Sequence, residues 1–301
     1  MKLRSAAWHA YRTLGAALRR RESSLSRFPG PWHTVIDYLG YSIRRFVFTP
    51  AAHSVSTVDG LRLCFDRSDV DAPEFLLGTY EETTTRLFKR LVKPGMVVVD
   101  LGAHIGWYTL LAARSVGETG SVYAFEPSQA NFLFLLRNLD LNGIHNVIPV
   151  LKAVSNTTGP MTLFSGRHGR TGLNSLYPNR FTGGETVTVE AITLDDFFEK
   201  EGWPPIDLVK MDIEGAEPAA LEGMTRLIQK MDSIKLIVEF FPTVLQAAGV
   251  SPQQFLERLL RLGLTVQVIN EQLEPLDIHR LIAQLSSGSL MVNLLCEKES
   301  L

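Results

Sequence analysis

The chain has 301 residues, of which 45% are hydrophobic, and a formal net charge of −2. This length fits one large α/β domain with additions or two small domains, and the apolar share is enough for a sizeable core. No run approaches the roughly 20 apolar residues of a membrane span, and the N-terminus lacks the apolar core of a signal peptide. The two cysteines, Cys64 and Cys296, lie in apolar strand-like runs. We therefore expect buried thiols and a cytoplasmic location, because the cytoplasm is a reducing compartment.

The positive charge is concentrated near the N-terminus. Residues 1–48 hold nine lysines and arginines and two acidic residues, so their net charge is +7 and that of residues 49–301 is −9. The acidic body argues against nucleic acid as a substrate, because such an enzyme usually places basic charge around its cleft. Helical spacing of apolar residues predicts a basic helical extension over residues 1–50. We expect it to pack on the domain, or to bind an anionic membrane surface peripherally, a protein partner or the second subunit of a homodimer.

Residues 51–301 are predicted to form one α/β domain that begins with a hairpin. Segments of alternating polarity flank Asp59-Gly60, a typical turn of a two-residue hairpin loop. A helix that contains Glu81 is predicted from Pro73 to Leu91. Hairpin and helix together occupy residues 53–91 and lead into the core.

The core is predicted over residues 95–301 and opens with a strand, a glycine-rich turn and a helix. Three β-branched residues, Val97–Val99, are typical of a buried strand. Asp100, Gly102 and Gly106 follow, and a helix is predicted to start directly after the second glycine. Glycine lets a ligand approach the backbone closely, and a helix N-terminus presents free N–H groups. The stretch therefore predicts a nucleotide-binding element.

The spacing of these glycines indicates which nucleotide to expect. A dinucleotide fold has G-x-G-x-x-G, whereas Gly102 and Gly106 form G-x-x-x-G, with His104 near the place of the missing glycine. A carboxylate at the strand end suits a ligand with a cationic amino group, such as S-adenosylmethionine (SAM). Glu126 ends the next predicted strand, where it can accept hydrogen bonds from two ribose hydroxyls. We expect this carboxylate to be exposed at the rim of the sheet and to support little of the fold. The residues therefore favour SAM over a dinucleotide.

Strands and helices alternate along the rest of the core, as a parallel sheet requires. Strands are predicted at 97–101, 121–125, 147–151, 207–212 and 235–240, and helices at 107–115, 128–142, 194–200, 217–230 and 251–262. An insertion with Gly-rich turns is predicted at about 161–192, with strand character at its two ends, Met161–Phe164 and Thr186–Ala191. Leu264–Ile269 and Leu290–Glu297 are predicted to close the sheet as an antiparallel pair.

Eight motifs in a fixed order extend over roughly residues 75 to 242. They are Gly78–Glu81, Leu91–Ala103, Ala124–Pro127, Asn138–Asn142, Ala153–Ser155, Leu194–Phe197, Ile206–Glu217 and Ile237–Phe240. In this order and spacing the chain resembles the FkbM family of SAM-dependent methyltransferases. The K-x-D-x-E-G-A-E run at Lys210–Glu217 is specific, because it is not a general feature of Rossmann folds. One departure is His104, where the family commonly has Asn.

The resemblance implies a fold and a set of cofactor-binding residues. The expected fold is α/β, a Rossmann-like class I methyltransferase fold with a seven-stranded, mostly parallel sheet and helices on both faces. The cofactor is expected to be S-adenosyl-L-methionine. Its expected binding residues are Glu81, Asp100, Gly102, Ala103, His104, Gly106, Glu126, Ser128, Ala153 and Asp212.

Acidic residues are predicted to collect at the carboxyl ends of the strands, where open α/β sheets bind ligands. An alcohol must lose its proton when it is methylated, so a carboxylate there can act as general base. We predict Asp212, Glu214 and Glu239 as the catalytic residues. A divalent metal held by these acids is an alternative, but no metal ligands are predicted, and no His/Cys spacing supports zinc.

The insertion is expected to contribute to the substrate pocket. Asn174 and Ser175 lie between Gly172 and Pro178, and loops over strand ends usually carry specificity. A plain turn is the alternative interpretation, because Asn and Ser favour turns in their own right.

The predicted function is O-methylation of a hydroxyl on a sugar, polyketide or other small natural product, with SAM as methyl donor. A nicotinamide-dependent oxidoreductase is the first alternative, although its G-x-G-x-x-G motif is missing. A non-catalytic protein that binds SAM or a partner is the second, although Asp100, Gly102, Glu126 and Asp212 are all intact.

Overall fold

The computed structural model describes residues 54–66, 74–75, 78–167, 170–285 and 291–298. The predicted basic extension at 1–50 lies outside these residues. None of the described helices is both long enough and apolar enough to cross a membrane.

A β-hairpin precedes the core, as predicted. Strands β1 (Ser54–Val58) and β2 (Leu61–Phe65) pair antiparallel. Asp59 and Gly60 connect them with φ angles of 52° and 74°. Two successive positive φ angles are what a type I′ turn requires, and Asp-Gly is a favoured pair for it.

Helix α1 (Glu82–Leu91) follows the hairpin, and strands then alternate with helices. The remaining elements, in chain order, are β3 (Val97–Leu101), α2 (Trp107–Val116), β4 (Ser121–Phe125), α3 (Gln129–Leu141), β5 (Val147–Val150), β6 (Ala153–Val154), β7 (Gly159–Gly166), β8 (Thr182–Ile192), α4 (Leu194–Lys200), β9 (Leu208–Met211), α5 (Glu217–Glu222), α6 (Thr225–Lys230), β10 (Ile234–Phe240), α7 (Pro242–Ala247), α8 (Pro252–Arg261), β11 (Thr265–Ile269), β12 (Leu273–Pro275), α9 (Ile278–Leu285) and β13 (Val292–Lys298).

The core is built on one large sheet with the strand order β12-β11-β13-β10-β9-β3-β4-β5. Strands β10, β9, β3, β4 and β5 are mutually parallel, while β13 runs antiparallel to its neighbours β10 and β11. The predicted Rossmann-like, mostly parallel sheet and its closing antiparallel pair are confirmed. The seven predicted strands are joined by a short eighth, β12, which folds back along β11 at the edge.

Helices cover both faces of the sheet, also as predicted. Alternate residues of β3 point to opposite sides, because side chains alternate along a strand. Val99 and Leu101 belong to a core with α4, α5, α6 and α8, whereas Val98 belongs to a core with α1, α2 and α3. All three side chains are buried, and each such burial stabilises the fold by about 1.5–3 kcal/mol.

Two asparagines on α3 attach the hairpin to the core. Asn138 and Asn142 are four residues apart and therefore share one face of the helix. Asn138 accepts a hydrogen bond from the backbone N–H of Cys64 (2.6 Å) and donates to its carbonyl (2.9 Å). Asn142 makes the same pair of bonds with the backbone of Arg62, at 2.8 and 2.7 Å. These amides therefore pair with β2 as a neighbouring strand would.

The helix predicted from Pro73 to Leu91 is not continuous, because Glu74 and Phe75 are helical but residues 78–81 are not. Helix α1 begins only at Glu82, because Glu81 has a left-handed backbone with φ of 42°. Glu81 therefore lies in the turn before the helix.

The helix predicted at 217–230 is in fact two helices, α5 and α6. Asp195 at the start of α4 caps the second one, because its carboxylate accepts the backbone N–H groups of Arg226 (3.0 Å) and Leu227 (2.8 Å). A cap of this kind satisfies the N–H groups of the first turn of α6, so that a new helix can start there.

The insertion forms a separate three-stranded sheet in the order β6-β8-β7. Its strands β7 and β8 pair antiparallel and are longer than the predicted segments at 161–164 and 186–191. Asn174 and Ser175 lie in the connection between β7 and β8.

Candidate active site

A cleft opens at the carboxyl ends of β3, β4 and β9. About 520 Å³ of empty space lies within it, a volume that includes open solvent at its mouth. Part of its wall comes from the insertion, through residues such as Leu163, Thr171 and Leu176. The predicted site residues that line it are Gly102, His104, Glu126, Ala153, Asn174, Asp212 and Glu214.

Glu126 follows β4 and is almost fully buried, with 4% of its surface exposed. Its Oε2 accepts the backbone N–H of His104 (2.8 Å), and its Oε1 accepts that of Ser128 (2.8 Å) and, at 3.4 Å, the side-chain amide of Asn131. Burial raises the pKa of this carboxyl to about 7, although the hydrogen bonds lower it. An ionised carboxylate can accept about four hydrogen bonds, and the 3.4 Å contact with Asn131 is longer than a normal hydrogen bond, so Glu126 still has capacity for two hydroxyl donors.

The turn after β3, which is the predicted nucleotide-binding element, contacts the insertion. Gly102 and Ala103 both donate their backbone N–H to the carbonyl of Phe125, at 3.0 and 2.9 Å. His104 then adopts a left-handed backbone with φ of 51°. Its ring Nε2 lies 2.7 Å from Oγ1 of Thr171, so the departure from the family's Asn places an imidazole against the insertion.

Gly102 lets the loops after β3 and β9 approach each other. Its φ is +79°, and a Cβ atom at this position would lie only 1.9 Å from the backbone oxygen of Asp212. The glycine therefore helps to set the position of Asp212 in the cleft.

We expect Gly102→Ala to lower the free energy of unfolding by about 2–5 kcal/mol, because a left-handed backbone and a backbone clash both penalise the added methyl group. Gly143→Ala is the matched control, since Gly143 has φ of +59° and no heavy atom within 4 Å of a built Cβ. Its cost should be about 1–2 kcal/mol, the backbone penalty alone. Urea denaturation measures both, and equal losses would contradict the close approach.

The three predicted catalytic acids lie close together. One carboxylate oxygen from each of Asp212, Glu214 and Glu239 lies within 4.8 Å of the other two. Glu239 is buried, and burial together with Asp212 and Glu214 raises its pKa well above the ordinary value. Of the three, Asp212 and Glu214 line the cleft and Glu239 does not.

Lys210 is a site residue that the sequence interpretation missed. It is fully buried on β9, and its Nζ lies 2.9 Å from Oδ2 of Asp212 and 3.8 Å from Oε2 of Glu81. Burial alone would lower the pKa of Lys210, but these two carboxylates outweigh it and raise the pKa above its ordinary value. A lone lysine in the apolar strand Leu208–Met211 is the signal that could have revealed it, because lysines are almost never fully buried without a partner.

Glu81 does not line the cleft but connects the start of α1 to Lys210 and Asp212. Its Oε2 accepts the hydroxyl of Tyr108 (2.6 Å), and its Oε1 accepts the side-chain amide of Asn293 (2.9 Å). Together with the contact to Lys210, these bonds make Glu81 part of the support behind Asp212.

A tight turn carries the acids from β9 to α5. Glu214 and Gly215 both have positive φ angles, 53° and 97°. The buried Glu217 closes the turn, because its carboxylate accepts the backbone N–H groups of Ile213 (3.0 Å) and Gly215 (2.9 Å). Glu217 therefore stabilises the backbone that presents Glu214.

Asp100 does not line the cleft. It is buried at the end of β3, where its Oδ2 accepts the hydroxyl of Thr109 at 2.6 Å. Burial raises its pKa to about 6 despite that hydrogen bond. In this arrangement Asp100 fixes the start of α2.

The remaining predicted site residues differ in where they lie. Asn174 lines the cleft. Ser175 is buried, and its hydroxyl donates to the carbonyl of Glu214 at 2.6 Å. Gly106 has φ of 97° at the start of α2. Two residues that the sequence interpretation missed, Asn131 and Thr171, also line the cleft.

Comparison with known proteins identifies the family. A family model described as the methyltransferase FkbM domain matches residues 100–263, just over half of the chain. A hexuronic acid methyltransferase of Haloferax volcanii, AglP, is 27% identical over 62% of this chain and 71% of its own length. The methyltransferase sdnD of Sordaria araneosa is 29% identical over 52% and 69%. The 31-O-demethyl-FK506 methyltransferase FkbM of Streptomyces tacrolimicus is 30% identical over 44% and 61%.

The match begins at Asp100 and includes Glu126, Asp212, Glu214 and Glu239, so it covers β4, β9 and the end of β3. The chain therefore belongs to the FkbM family of S-adenosylmethionine-dependent methyltransferases.

Proposed function

We propose that this enzyme is an O-methyltransferase that acts on a hydroxyl of a sugar, a polyketide or another small natural product. The observation that carries the proposal is the pairing of two features at one cleft. Glu126 offers a buried carboxylate to a ligand's hydroxyls, and Asp212 and Glu214 offer proton acceptors on another part of the lining. The names of two relatives, a hexuronic acid methyltransferase and a demethyl-FK506 methyltransferase, support an acceptor of this size and chemistry.

Glu126 is proposed to bind the ribose of the cofactor. When bound, SAM supplies an electrophilic methyl group on a sulfonium. The adjacent diol of a ribose matches the two oxygens of Glu126, and hydrogen bonds to an ionised carboxylate are among the stronger ones in proteins. Gly102, His104 and Ala153 line the same cleft and are proposed to contact the rest of the nucleoside, with Ser128 contributing through its bond to Glu126.

Asp212 is proposed as the general base, with Glu214 and Glu239 behind it. It lines the cleft, and Lys210 holds it at 2.9 Å. As the acceptor oxygen bonds to the methyl carbon, the S–CH₃ bond breaks and Asp212 takes the hydroxyl proton, so that the products are a methyl ether and S-adenosylhomocysteine. Holding oxygen, carbon and sulfur in line at about 3–3.5 Å for the reacting pair supplies much of the acceleration. Asn174 is proposed to contact the acceptor, and Ser175 to position the Glu214 loop.

We expect SAM and S-adenosylhomocysteine to raise the melting temperature of the full chain, and NAD to leave it unchanged. A ligand at a hundred times its dissociation constant stabilises the folded state by about 2.7 kcal/mol. Thermal melts with each ligand measure this directly. A shift with NAD and none with SAM would overturn the proposal. A shift with SAM but no S-adenosylhomocysteine formed with any acceptor hydroxyl would instead indicate a binding protein.

A further inference from the structure

The acidic cluster of Asp212, Glu214 and Glu239 has the geometry of a cation site. Its members come from the end of β9, from the turn that follows and from β10. One oxygen from each lies within 4.8 Å of the other two. Cis oxygen ligands of an octahedral ion at 2.0–2.1 Å lie about 3 Å apart and trans ligands about 4 Å apart, so the most distant pair of oxygens must approach by about 1–2 Å to bind one ion.

A second observation points to a missing occupant. Glu239 is 3% exposed, and its Oε2 has no hydrogen-bond partner among the described residues. A buried carboxylate oxygen without a partner is costly. The neighbouring Glu217 has no such deficit, because both of its oxygens accept backbone N–H groups.

The charge around the cluster is also unbalanced. Within the described part of the chain, Lys210 is the cation paired with Asp212, and it is shared with Glu81 at 3.8 Å. One ammonium group therefore serves two carboxylates and can balance the charge of only one, which favours a second cation.

We propose that Asp212, Glu214 and Glu239 bind one divalent, oxygen-preferring cation of the Mg²⁺ or Mn²⁺ class. The ligand set consists of carboxylates alone, which suits hard cations rather than zinc or copper. Because Asp212 and Glu214 line the cleft, the remaining coordination positions are open to water or to a hydroxyl of the acceptor. This replaces the initial expectation that no metal ligands are present.

The role of the ion rests on the proposed function. A bound divalent cation polarises an oxygen ligand and lowers the pKa of its proton. An acceptor hydroxyl bound to it would therefore lose its proton more easily, to a cluster carboxylate or to solvent. The cation would also fix the acceptor oxygen with respect to the methyl group.

The test is a titration of the chelator-treated full chain with Mn²⁺ in the absence of SAM. The electron paramagnetic resonance signal of free Mn²⁺ reports how much of the ion is bound. We expect one site that Mg²⁺ competes for. Glu239→Gln keeps the shape of the side chain and should weaken Mn²⁺ binding at least about tenfold, or about 1.4 kcal/mol. Glu190→Gln is the control, because Glu190 is exposed on β8, and its Mn²⁺ affinity should match that of the wild type. Glu214→Gln serves as the second variant if thermal melts show that Glu239→Gln does not fold.

No Mn²⁺ binding at millimolar concentration, or equal binding by wild type and both cluster variants, would overturn the site and leave a shared proton as the occupant. Calorimetry with S-adenosylhomocysteine on the same samples separates the two proposals. If the protein binds S-adenosylhomocysteine but does not bind Mn²⁺, the cation site is refuted and the proposed function stands. If it binds Mn²⁺ but does not bind S-adenosylhomocysteine, the proposed function is refuted and the cation site stands.

Discussion

Replacing Glu126 by Ala is expected to weaken SAM binding by roughly ten- to several-hundredfold. Each charge-assisted hydrogen bond to the ribose contributes on the order of 1.5–3 kcal/mol, and water that enters the space recovers part of the loss. Calorimetric titration well below the melting temperature measures the affinity of the folded protein. Glu190→Ala is the control and should bind SAM as the wild type does.

The stability of the ligand-free protein should also fall in Glu126→Ala. From the sequence we expected an exposed carboxylate at the rim of the sheet, whose removal would barely affect the fold. That expectation is wrong, because Glu126 is buried and accepts the backbone N–H groups of His104 and Ser128. Removing it leaves two partly buried backbone donors without their partner, at no more than about 1–3 kcal/mol each. A loss of stability therefore does not identify a purely structural role, and affinity must decide.

The pH dependence of SAM binding distinguishes a ligand-binding role of Glu126 from a purely structural one. The pKa of Glu126 is raised to about 7 in the free protein, whereas ribose hydroxyls donate to the ionised form. Binding must therefore remove the proton, and SAM affinity should fall about tenfold for each pH unit below 7. Glu126→Gln carries no titratable group there and should lose this dependence. Unchanged SAM affinity in Glu126→Ala, or the same pH profile in Glu126→Gln, would contradict the assignment.

Replacing Asp212 by Asn should lower turnover at least tenfold, with a smaller effect on SAM affinity. The variant keeps the shape of the side chain but removes its charge and its basicity, and a positioned general base typically contributes about 10²–10⁴-fold. Among the described residues it leaves Lys210 with the more distant Glu81, at 3.8 Å, as its ion-pair partner, so thermal melts must confirm that the variant is folded. The rate of S-adenosylhomocysteine formation gives turnover once an acceptor is known.

Asp140→Asn is the matched control for this change. Asp140 is exposed on α3 and lies outside the cleft lining, so turnover there should equal that of the wild type. Wild-type turnover in Asp212→Asn would exclude Asp212 as the base and leave Glu214 and Glu239 as candidates.

Local sequence patterns were sufficient to predict much of the fold. The strands Val97–Leu101 and Ser121–Phe125 have the predicted bounds. Each is a mostly apolar run, and Gly102 follows the first and Glu126 the second. The helix Leu194–Lys200 was also placed correctly. Its predicted start follows Thr193, whose side chain accepts the backbone N–H of Asp196 as a helix cap does.

Features that depend on distant contacts could not be predicted in this way. The break between α5 and α6 requires Asp195, which lies about thirty residues earlier and caps the second helix. Asn131, which contacts Glu126, also donates to the carbonyl of Thr171, 40 residues later in the insertion, at 3.2 Å. The partnership of Lys210 with Glu81 joins β9 to the turn before α1. No periodicity along the chain encodes such pairs.

We propose that the cleft beyond β3, β4 and β9 binds the cofactor through Glu126. The most direct measurement is a crystal structure of the full chain with S-adenosylhomocysteine. We predict both ribose hydroxyls within about 2.5–3.0 Å of the Glu126 carboxylate, and the sulfur on the side of the cleft that Asp212 lines. An adenosyl group bound elsewhere, or a ribose in the cleft without contact to Glu126, would contradict the assignment of Glu126 as the ribose-binding residue.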